Sequence, residues 1–241
     1  MLRRSINNKK EKQLFIKRFY PAGTYTWTVP YGCEEVDVFL VGGGGGGSGD
    51  AGGSGYTKTF KSNSIGWKDG YSIPVVEGQN IQIIVGRGGK GVVSGSAYSG
   101  GYSQFMNSNY RANGGVGGTQ SSGGNGGSGG GPGNGGSDGK DGDVGNWTND
   151  IAGKGQGHTT RDFGEPSGKR NAGGGCGQMG NYIPGESDYT EGKGSDGEGD
   201  INAGKGGGGY GGGGGAYYGT YTSGGNGGDG TVLIRYYAYK E

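Results

Sequence analysis

Glycine recurs at every third position over long stretches of this chain, and this spacing restricts the folds that the sequence can adopt. Three residues per turn is the repeat of the polyproline II helix, which forms no hydrogen bonds within itself. Buried backbone groups need partners, so such helices must bond to neighbours. Close approach requires contact positions without a Cβ. The longest register comprises Gly124, Gly127, Gly130, Gly133, Gly136, Gly139, Gly142 and Gly145.

Shorter registers of the same period occur in other parts of the chain. Chance can explain a run of three glycines in register, but it does not easily explain the run of eight. Several aligned tracts predict a bundle of polyproline II helices that pack backbone against backbone. The shorter registers are Gly43, Gly46, Gly49, Gly52 and Gly55; Gly174, Gly177 and Gly180; and Gly206, Gly209, Gly212 and Gly215.

The composition excludes an ordinary hydrophobic core across the whole chain, because 70 residues are glycine and only 28% are hydrophobic. Collagen is excluded by the interrupted period and by the presence of only 6 prolines. Disorder is the main alternative, since glycine loses much backbone freedom on folding. The 17 tyrosines, 3 tryptophans and 6 phenylalanines argue against it, because disordered chains are poor in aromatic residues.

Several short segments have the composition or alternation of β-strands, and no segment has a helical apolar period. Residues 35–41 place Val36, Val38 and Leu40 on one face and run directly into six glycines, residues 42–47. The predicted fold is therefore mainly β and irregular, without α-helix. The predicted strands are residues 14–20, 23–30, 35–41, 56–60, 81–85, 102–105 and 231–237.

Basic residues are concentrated at the start of the chain, although its net charge is only +1. We divide the sequence into a basic arm, residues 1–18, and a glycine-rich domain, residues 19–241. Such an arm can bind an acidic partner, or it can be a solvated tail. The arm residues predicted to make an attachment are Arg3, Arg4, Lys9, Lys10 and Lys12.

The arm contains no apolar segment of a secretory signal peptide, and no stretch of the chain has the length of a membrane span. We therefore expect cytosolic synthesis and no membrane insertion. Cys33 and Cys176 are too few for a disulfide scaffold, and we expect both to be reduced structural thiols.

Motifs that would indicate catalysis or metal binding are incomplete. Residues 86–91 resemble a phosphate-binding loop, but Gly91 stands where a serine or threonine should be. His158 is the only histidine, and residues 224–232 match a calcium nonapeptide imperfectly and without a tandem copy. The acidic residues between 186 and 200 stand among glycines and serines, so we expect their side chains to be exposed to solvent and not to form a catalytic pair. We predict no enzyme, metal or cofactor.

Tyrosine, serine, glycine and asparagine are frequent in the stretches that interrupt the glycine tracts, a composition like that of antibody paratopes. We expect residues 98–111, 146–171, 178–202 and 216–223 to form one recognition surface at an end of the bundle. The alternative is that the tyrosines cover a thin core. The predicted anchors are Tyr98, Tyr102, Tyr110, Tyr217, Tyr218 and Tyr221.

Five phrases spread over the chain resemble the glycine-rich domain of tail-fibre and tail-tip proteins of tailed bacteriophages, including receptor-binding adhesins. The resemblance implies a small β-framework from both chain ends around a sandwich of polyproline II helices, with host-contacting loops at the bundle's end. Some such adhesins carry a larger N-terminal attachment domain, whereas here we expect attachment through the basic arm. The phrases occupy residues 22–47, 75–91, 99–105, 204–215 and 224–236.

From this resemblance we expect a virion protein at a tail or fibre tip that binds a protein or glycan on the bacterial surface. Its other expected partner is a virion protein that holds the N-terminal arm, and a second copy of the chain stays an open possibility. The alternative function is a structural virion component, such as a head fibre, tail cap or decoration protein. An ice-binding function is disfavoured because the loops are irregular and charged.

Overall fold

The computed structural model of the protein describes residues 11–60, 72–130, 172, 174–175, 194, 206–207, 210–217 and 222–240. These residues contain β-strands and no helix, as predicted. The seven predicted strands are confirmed, with ends that differ by a few residues. Two further strands, of two residues each, were not predicted, because two residues cannot show an alternating pattern. The strands are β1 (Lys12–Phe19), β2 (Gly23–Thr28), β3 (Glu35–Val41), β4 (Thr57–Phe60), β5 (Ile73–Pro74), β6 (Asn80–Val85), β7 (Ser103–Phe105), β8 (Arg111–Ala112) and β9 (Thr231–Tyr239).

The strands form two antiparallel sheets that share one hydrophobic core. The first sheet has the order β1, β9, β3, β4, with β5 also paired to β3, and the second has the order β2, β6, β7, β8. Alternate side chains of each strand point to the same face. Trp27 joins the sheets, because its ring lies 5.1 Å from that of Tyr236 and 6.2 Å from that of Phe105. The predicted framework thus uses strands from both chain ends.

Glycine-rich tracts extend directly from these strands and form a bundle at one end of the two sheets. The central tract, residues 42–47, continues β3 and is completely buried. Six tracts surround it, three running away from the sheets and three running back. The outward tracts are residues 86–92, 113–118 and 211–215, and the return tracts are residues 51–56, 97–101 and 224–228.

The central tract bonds to its neighbours in steps of three residues. Gly43 and Gly46 donate their N–H groups to the carbonyls of Gly101 and Tyr98, at 2.9 and 3.0 Å. The residue number rises by three along the central tract while it falls by three along its partner, so the two tracts are antiparallel. Both repeat every three residues, as predicted for polyproline II helices. The same step relates the central tract to the other two return tracts. Residue 42 donates to residue 56 and residue 45 to residue 53, and residue 44 donates to residue 228 and residue 47 to residue 225.

Each position of the central tract faces the backbone of an outward tract, so a side chain has no room. A Cβ added to Gly45 would overlap the carbonyl of Val116, and one added to Gly46 would overlap that of Lys90. The neighbouring tracts are also bonded to one another, which closes the ring; for example, Gly53 donates to Val116 at 3.0 Å. Glycine is therefore required here by direct backbone packing.

Two of the predicted glycine registers do not correspond to single described helices in the structure. The register from Gly43 to Gly55 is not one helix, because the chain reverses at residues 48–50 and returns along residues 51–56. The start of the longest register, residues 124–130, packs on the return tract 51–56, to which Gly124 and Gly127 donate hydrogen bonds. The rest of that register, which includes Gly133, lies outside the described residues.

Candidate functional site at the distal tip

The turns that join the tracts lie together at the end of the bundle farthest from the sheets. The central and outward tracts leave the sheets in one direction, and they are about 15 to 22 Å long at about 3.1 Å per residue, so they end at a similar level. We call this surface the distal tip. Its described residues are 48–50, 93–96, 119–122 and Tyr217.

Ser48 is completely buried and connects the turns of the distal tip. Its Oγ donates a 2.8 Å hydrogen bond to the carbonyl of Gly95 and accepts a 3.0 Å bond from Nε2 of Gln120. Its own carbonyl accepts the N–H of Tyr217 at 2.9 Å. The Tyr217 hydroxyl donates to Oε1 of Gln120, also at 2.9 Å. One serine thus holds three separate segments in a fixed arrangement.

Local hydrogen bonds also fix the conformation of the individual turns. The N–H of Ser48 donates to the carbonyl of Asp50 at 2.8 Å, and the N–H of Asp50 donates to the carbonyl of Thr119 at the same distance. Gly95 has a φ of +79°, a left-handed conformation that favours glycine. Thr119 donates its N–H to the carbonyl of Ser122 at 2.9 Å. The tip is therefore a defined surface on a rigid scaffold.

The exposed part of the tip consists of small polar and amide side chains with one aliphatic residue. Val93 is 50% exposed, and residues 94–96 and 120–122 are also exposed. Asp50 is the only charged residue among the described tip residues, and it is buried. Such a surface can make hydrogen bonds and contacts, but its described residues present no exposed acid, base or nucleophilic thiol. The described residues also contain no group of three or more His, Cys, Asp or Glu residues that could hold a metal ion.

The structure places the predicted anchor tyrosines in different parts of the molecule. Tyr217 lies at the distal tip, whereas Tyr98 lies on the side of the bundle and is 65% exposed. Tyr102 and Tyr110 lie beside the second sheet: the Tyr102 ring is 3.9 Å from the Arg111 guanidinium, and Tyr110 packs edge-on against Phe60, with ring centroids 5.1 Å apart. Residues 98–111 therefore include a return tract and two strands and are not one loop at the tip.

The remaining predicted loop positions lie outside the described residues. These are Tyr218, Tyr221 and the segments 146–171 and 178–202.

The predicted attachment arm is described only in its last part. Lys12 lies in β1, where its Nζ donates a 2.9 Å hydrogen bond to Glu34 and sits 5.9 Å from the centre of the Tyr239 ring. The hydrogen bond and the charge of Glu34 raise the pKa of Lys12. Lys17 and Arg18 belong to the same strand and pair with β9. Arg3, Arg4, Lys9 and Lys10 lie outside the described residues.

Sequence reasoning missed the residues that organise the tip, Ser48 and Gln120. The available signal was the position at which each glycine tract is interrupted, because a tract has to end where the chain turns. Ser48 directly follows six glycines, and Gln120 is the second residue after the pair Gly117 and Gly118. Exposed aromatic side chains, by contrast, do not mark these turns.

Cys33 lies far from the tip, in the core between the two sheets, and is a free thiol with 1% exposure. Burial raises its pKa to about 11, and this effect outweighs a smaller lowering by hydrogen bonding with the Glu35 backbone. The expectation of a reduced structural thiol is thus met for Cys33, whereas Cys176 lies outside the described residues. Within the described part of the chain, no helix could cross a membrane.

Comparison with known proteins identifies the type of domain. A family model described as a glycine-rich domain matches residues 20–237. This range covers all the tracts of the bundle and both sheets, apart from β1 and the last two residues of β9. No curated protein matches the chain.

Proposed function

The chain belongs to the glycine-rich domain family. We propose that it is a bacteriophage tail adhesin, the function implied by its resemblance to tail-fibre proteins, and that it binds a protein or glycan on the bacterial surface through the distal tip. The observation that supports this most is the bonding of three tip segments to the buried Ser48. A binding surface held rigid before contact loses less entropy when its partner arrives.

The chemistry of the tip favours binding over catalysis. Its described residues offer hydroxyl, amide and backbone groups, and Tyr217 adds an aromatic ring whose hydroxyl is already bonded to Gln120. Serine and glycine with tyrosine are the residues that paratopes use for adaptable hydrogen bonds and for large contact areas. Function also concentrates on loops held by a rigid scaffold. These features support recognition of a surface receptor.

A second candidate function, a structural virion component, is favoured by an exposed apolar patch on the outer face of the first sheet. Leu14 on β1 pairs with Tyr237 on β9, and with Ile16 they are 49%, 59% and 54% exposed. Contiguous apolar surface often marks a protein contact. In the adhesin hypothesis this patch would hold the domain on the tail, whereas in the structural hypothesis such contacts would be its whole function.

Binding of the labelled protein to a panel of bacterial strains, measured by flow cytometry, tests the adhesin hypothesis. We expect binding to some strains, and we expect Ser121→Arg to reduce it about tenfold or more, because the long charged side chain would separate the tip from its receptor. The matched control is Ser108→Arg, which adds the same side chain to an exposed turn between β7 and β8, beside the sheets.

The two hypotheses give different results. Binding that Ser121→Arg removes and Ser108→Arg preserves supports the adhesin. Absence of binding to every strain, together with loss of incorporation into virions in a Leu14→Lys variant, would support the structural component instead.

A further inference from the structure

A shallow groove of about 320 Å³ runs along the side of the bundle, separate from the distal tip. It lies between the outward tract 86–92 and the return tract 97–101, and its walls carry Arg87, Lys90 and Tyr98. Its floor is glycine backbone, which leaves the space between the side chains open. The groove therefore combines two cations, an exposed aromatic ring and an uncovered backbone.

The threefold helix places the two cations on the same side of the outward tract. Arg87 and Lys90 are three residues apart, so they are one turn and about 9 Å apart along the tract. Both residues are exposed. Among the described residues, no carboxylate forms an ion pair with either of them. Their charges are thus available to an anionic ligand.

The third wall of the groove is provided by Tyr98, which is 65% exposed. Its backbone is fixed on both sides, because its N–H donates to the carbonyl of Lys90 at 3.1 Å and its carbonyl accepts the N–H of Gly46 at 3.0 Å. The ring is therefore carried on a rigid backbone next to one of the cations. Aromatic rings of this kind pack against the apolar face of a sugar ring while the hydroxyl stays in water.

We propose that this groove binds an acidic saccharide, with carboxylates on Arg87 and Lys90 and a sugar ring on Tyr98. The spacing of the two cations is comparable to that of acidic groups on alternate rings of an extended polysaccharide chain. Single-stranded nucleic acid is the less favoured ligand, because the chain has a net charge of +1 and a pI of about 7.6, whereas nucleic-acid-binding domains are commonly strongly basic. The proposal does not require the tip to bind a receptor.

Titration with trigalacturonic acid, followed by NMR of the glycine amides, tests the proposal. We expect chemical-shift changes at Gly88, Gly89 and Gly101, which line the groove. The fully methyl-esterified trisaccharide is the matched ligand control: it has the same rings without charge, and we expect it to bind at least about tenfold more weakly. Added salt should weaken binding of the acid, because the two cations are exposed.

Protein variants separate the contributions of charge and stacking. The double variant Arg87→Gln with Lys90→Gln should weaken binding about tenfold. The double variant Lys17→Gln with Lys240→Gln removes the same charge elsewhere and should leave binding unchanged. Tyr98→Phe should keep the affinity, whereas Tyr98→Ala should lower it, since only the first retains the ring.

Four results would overturn the proposal. They are no binding of trigalacturonic acid, equal binding of its methyl ester, equal weakening by the control double variant, and tighter binding of a decameric single-stranded DNA than of the saccharide. Each variant must first give an unchanged amide spectrum away from the groove. Its fold is then intact, and any change in binding is due to the groove.

Discussion

The Oγ of Ser48 donates a 2.8 Å hydrogen bond to the carbonyl of Gly95, and this bond joins the end of the central tract to the turn between an outward and a return tract. The same oxygen accepts the bond from the Gln120 side chain. Ser48 is completely buried, so neither bond is replaced easily by water. The arrangement of the tip therefore depends on a hydroxyl group that a receptor could not touch.

Ser48→Ala should lower the free energy of unfolding by about 1–3 kcal/mol, because it leaves buried polar groups without partners. We also expect faster hydrogen exchange in residues 93–97 while the central tract stays protected. Ser121→Ala changes an exposed serine of the same tip and is the control, with an effect within about 0.5 kcal/mol. Equal exchange in the wild type and in Ser48→Ala would contradict the role given to Ser48.

Gly45→Ala should destabilise the protein strongly, by about 3 kcal/mol or more, because the added methyl would overlap the carbonyl of Val116. Both groups belong to packed backbones that cannot move independently. Gly23→Ala is the matched control, since a Cβ there would meet only the Tyr25 ring, at 3.8 Å. Urea unfolding measures both variants. Similar midpoints for the two would contradict direct backbone packing in the bundle.

Two ion pairs of the first sheet should differ in their contribution to stability. Arg235 and Asp37 are cross-strand partners, 2.6 Å apart between Nη2 and Oδ2, with side chains 17% and 12% exposed. Asp37→Asn should cost about 1.5–3 kcal/mol, the range for hydrogen bonds to charged groups. Glu34→Gln removes the pair with Lys12, where the Glu34 side chain is 83% exposed, and should destabilise the protein clearly less than Asp37→Asn, because water and salt screen an exposed pair. Thermal unfolding measures both variants. A larger loss of stability in Glu34→Gln than in Asp37→Asn would contradict this prediction.

Alkaline pH should destabilise the fold through Cys33. Burial disfavours the thiolate and raises the pKa of the Cys33 thiol from its ordinary value of 9.0 to about 11. Between pH 9 and 11 the Cys33 thiol therefore stays protonated in the native state, whereas it ionises in the unfolded state. The contribution to stability is complete below pH 9 and is lost as the pH rises towards 11.

Comparison with Cys33→Ser isolates this effect, with Cys176 replaced by serine in both proteins. The difference in the free energy of unfolding should shrink between pH 9 and 11. At pH 8 the native thiol should react with a disulfide reagent on the order of 100-fold more slowly than in urea, since the thiolate is the reactive form. Rapid labelling of the native protein would show that Cys33 is not buried as described.

The strands and the repeat of the bundle were predictable because both leave local signals. Alternating apolar residues marked β2 and β3, and the glycine spacing indicated threefold helices. The order of tracts around the centre was not predictable, because it depends on bonds between distant residues such as Gly47 and Gly225. For the same reason the register from Gly43 to Gly55 could not show that the chain reverses within it.

The tip was predictable as a place but not in its residues. Tracts of similar length that leave the sheets together end at a common level, and the turns at Gly95 and Gln120 meet there, although neither turn was among the predicted loops. Exposure of a tyrosine, in contrast, depends on what packs beside it. Tyr110 lies against Phe60, and nothing in its local sequence distinguishes it from the exposed Tyr98. Residue type alone therefore could not select the anchors.

Hydrogen exchange of the protein mixed with cell envelopes of a strain that it binds tests the central proposal most directly, that the distal tip contacts a bacterial receptor. We predict slower exchange in residues 92–98 and 118–123, and unchanged exchange in residues 106–111 beside the sheets. Envelopes of a strain that the protein does not bind should change neither. Protection of residues 106–111 without protection of the two tip segments would contradict the account.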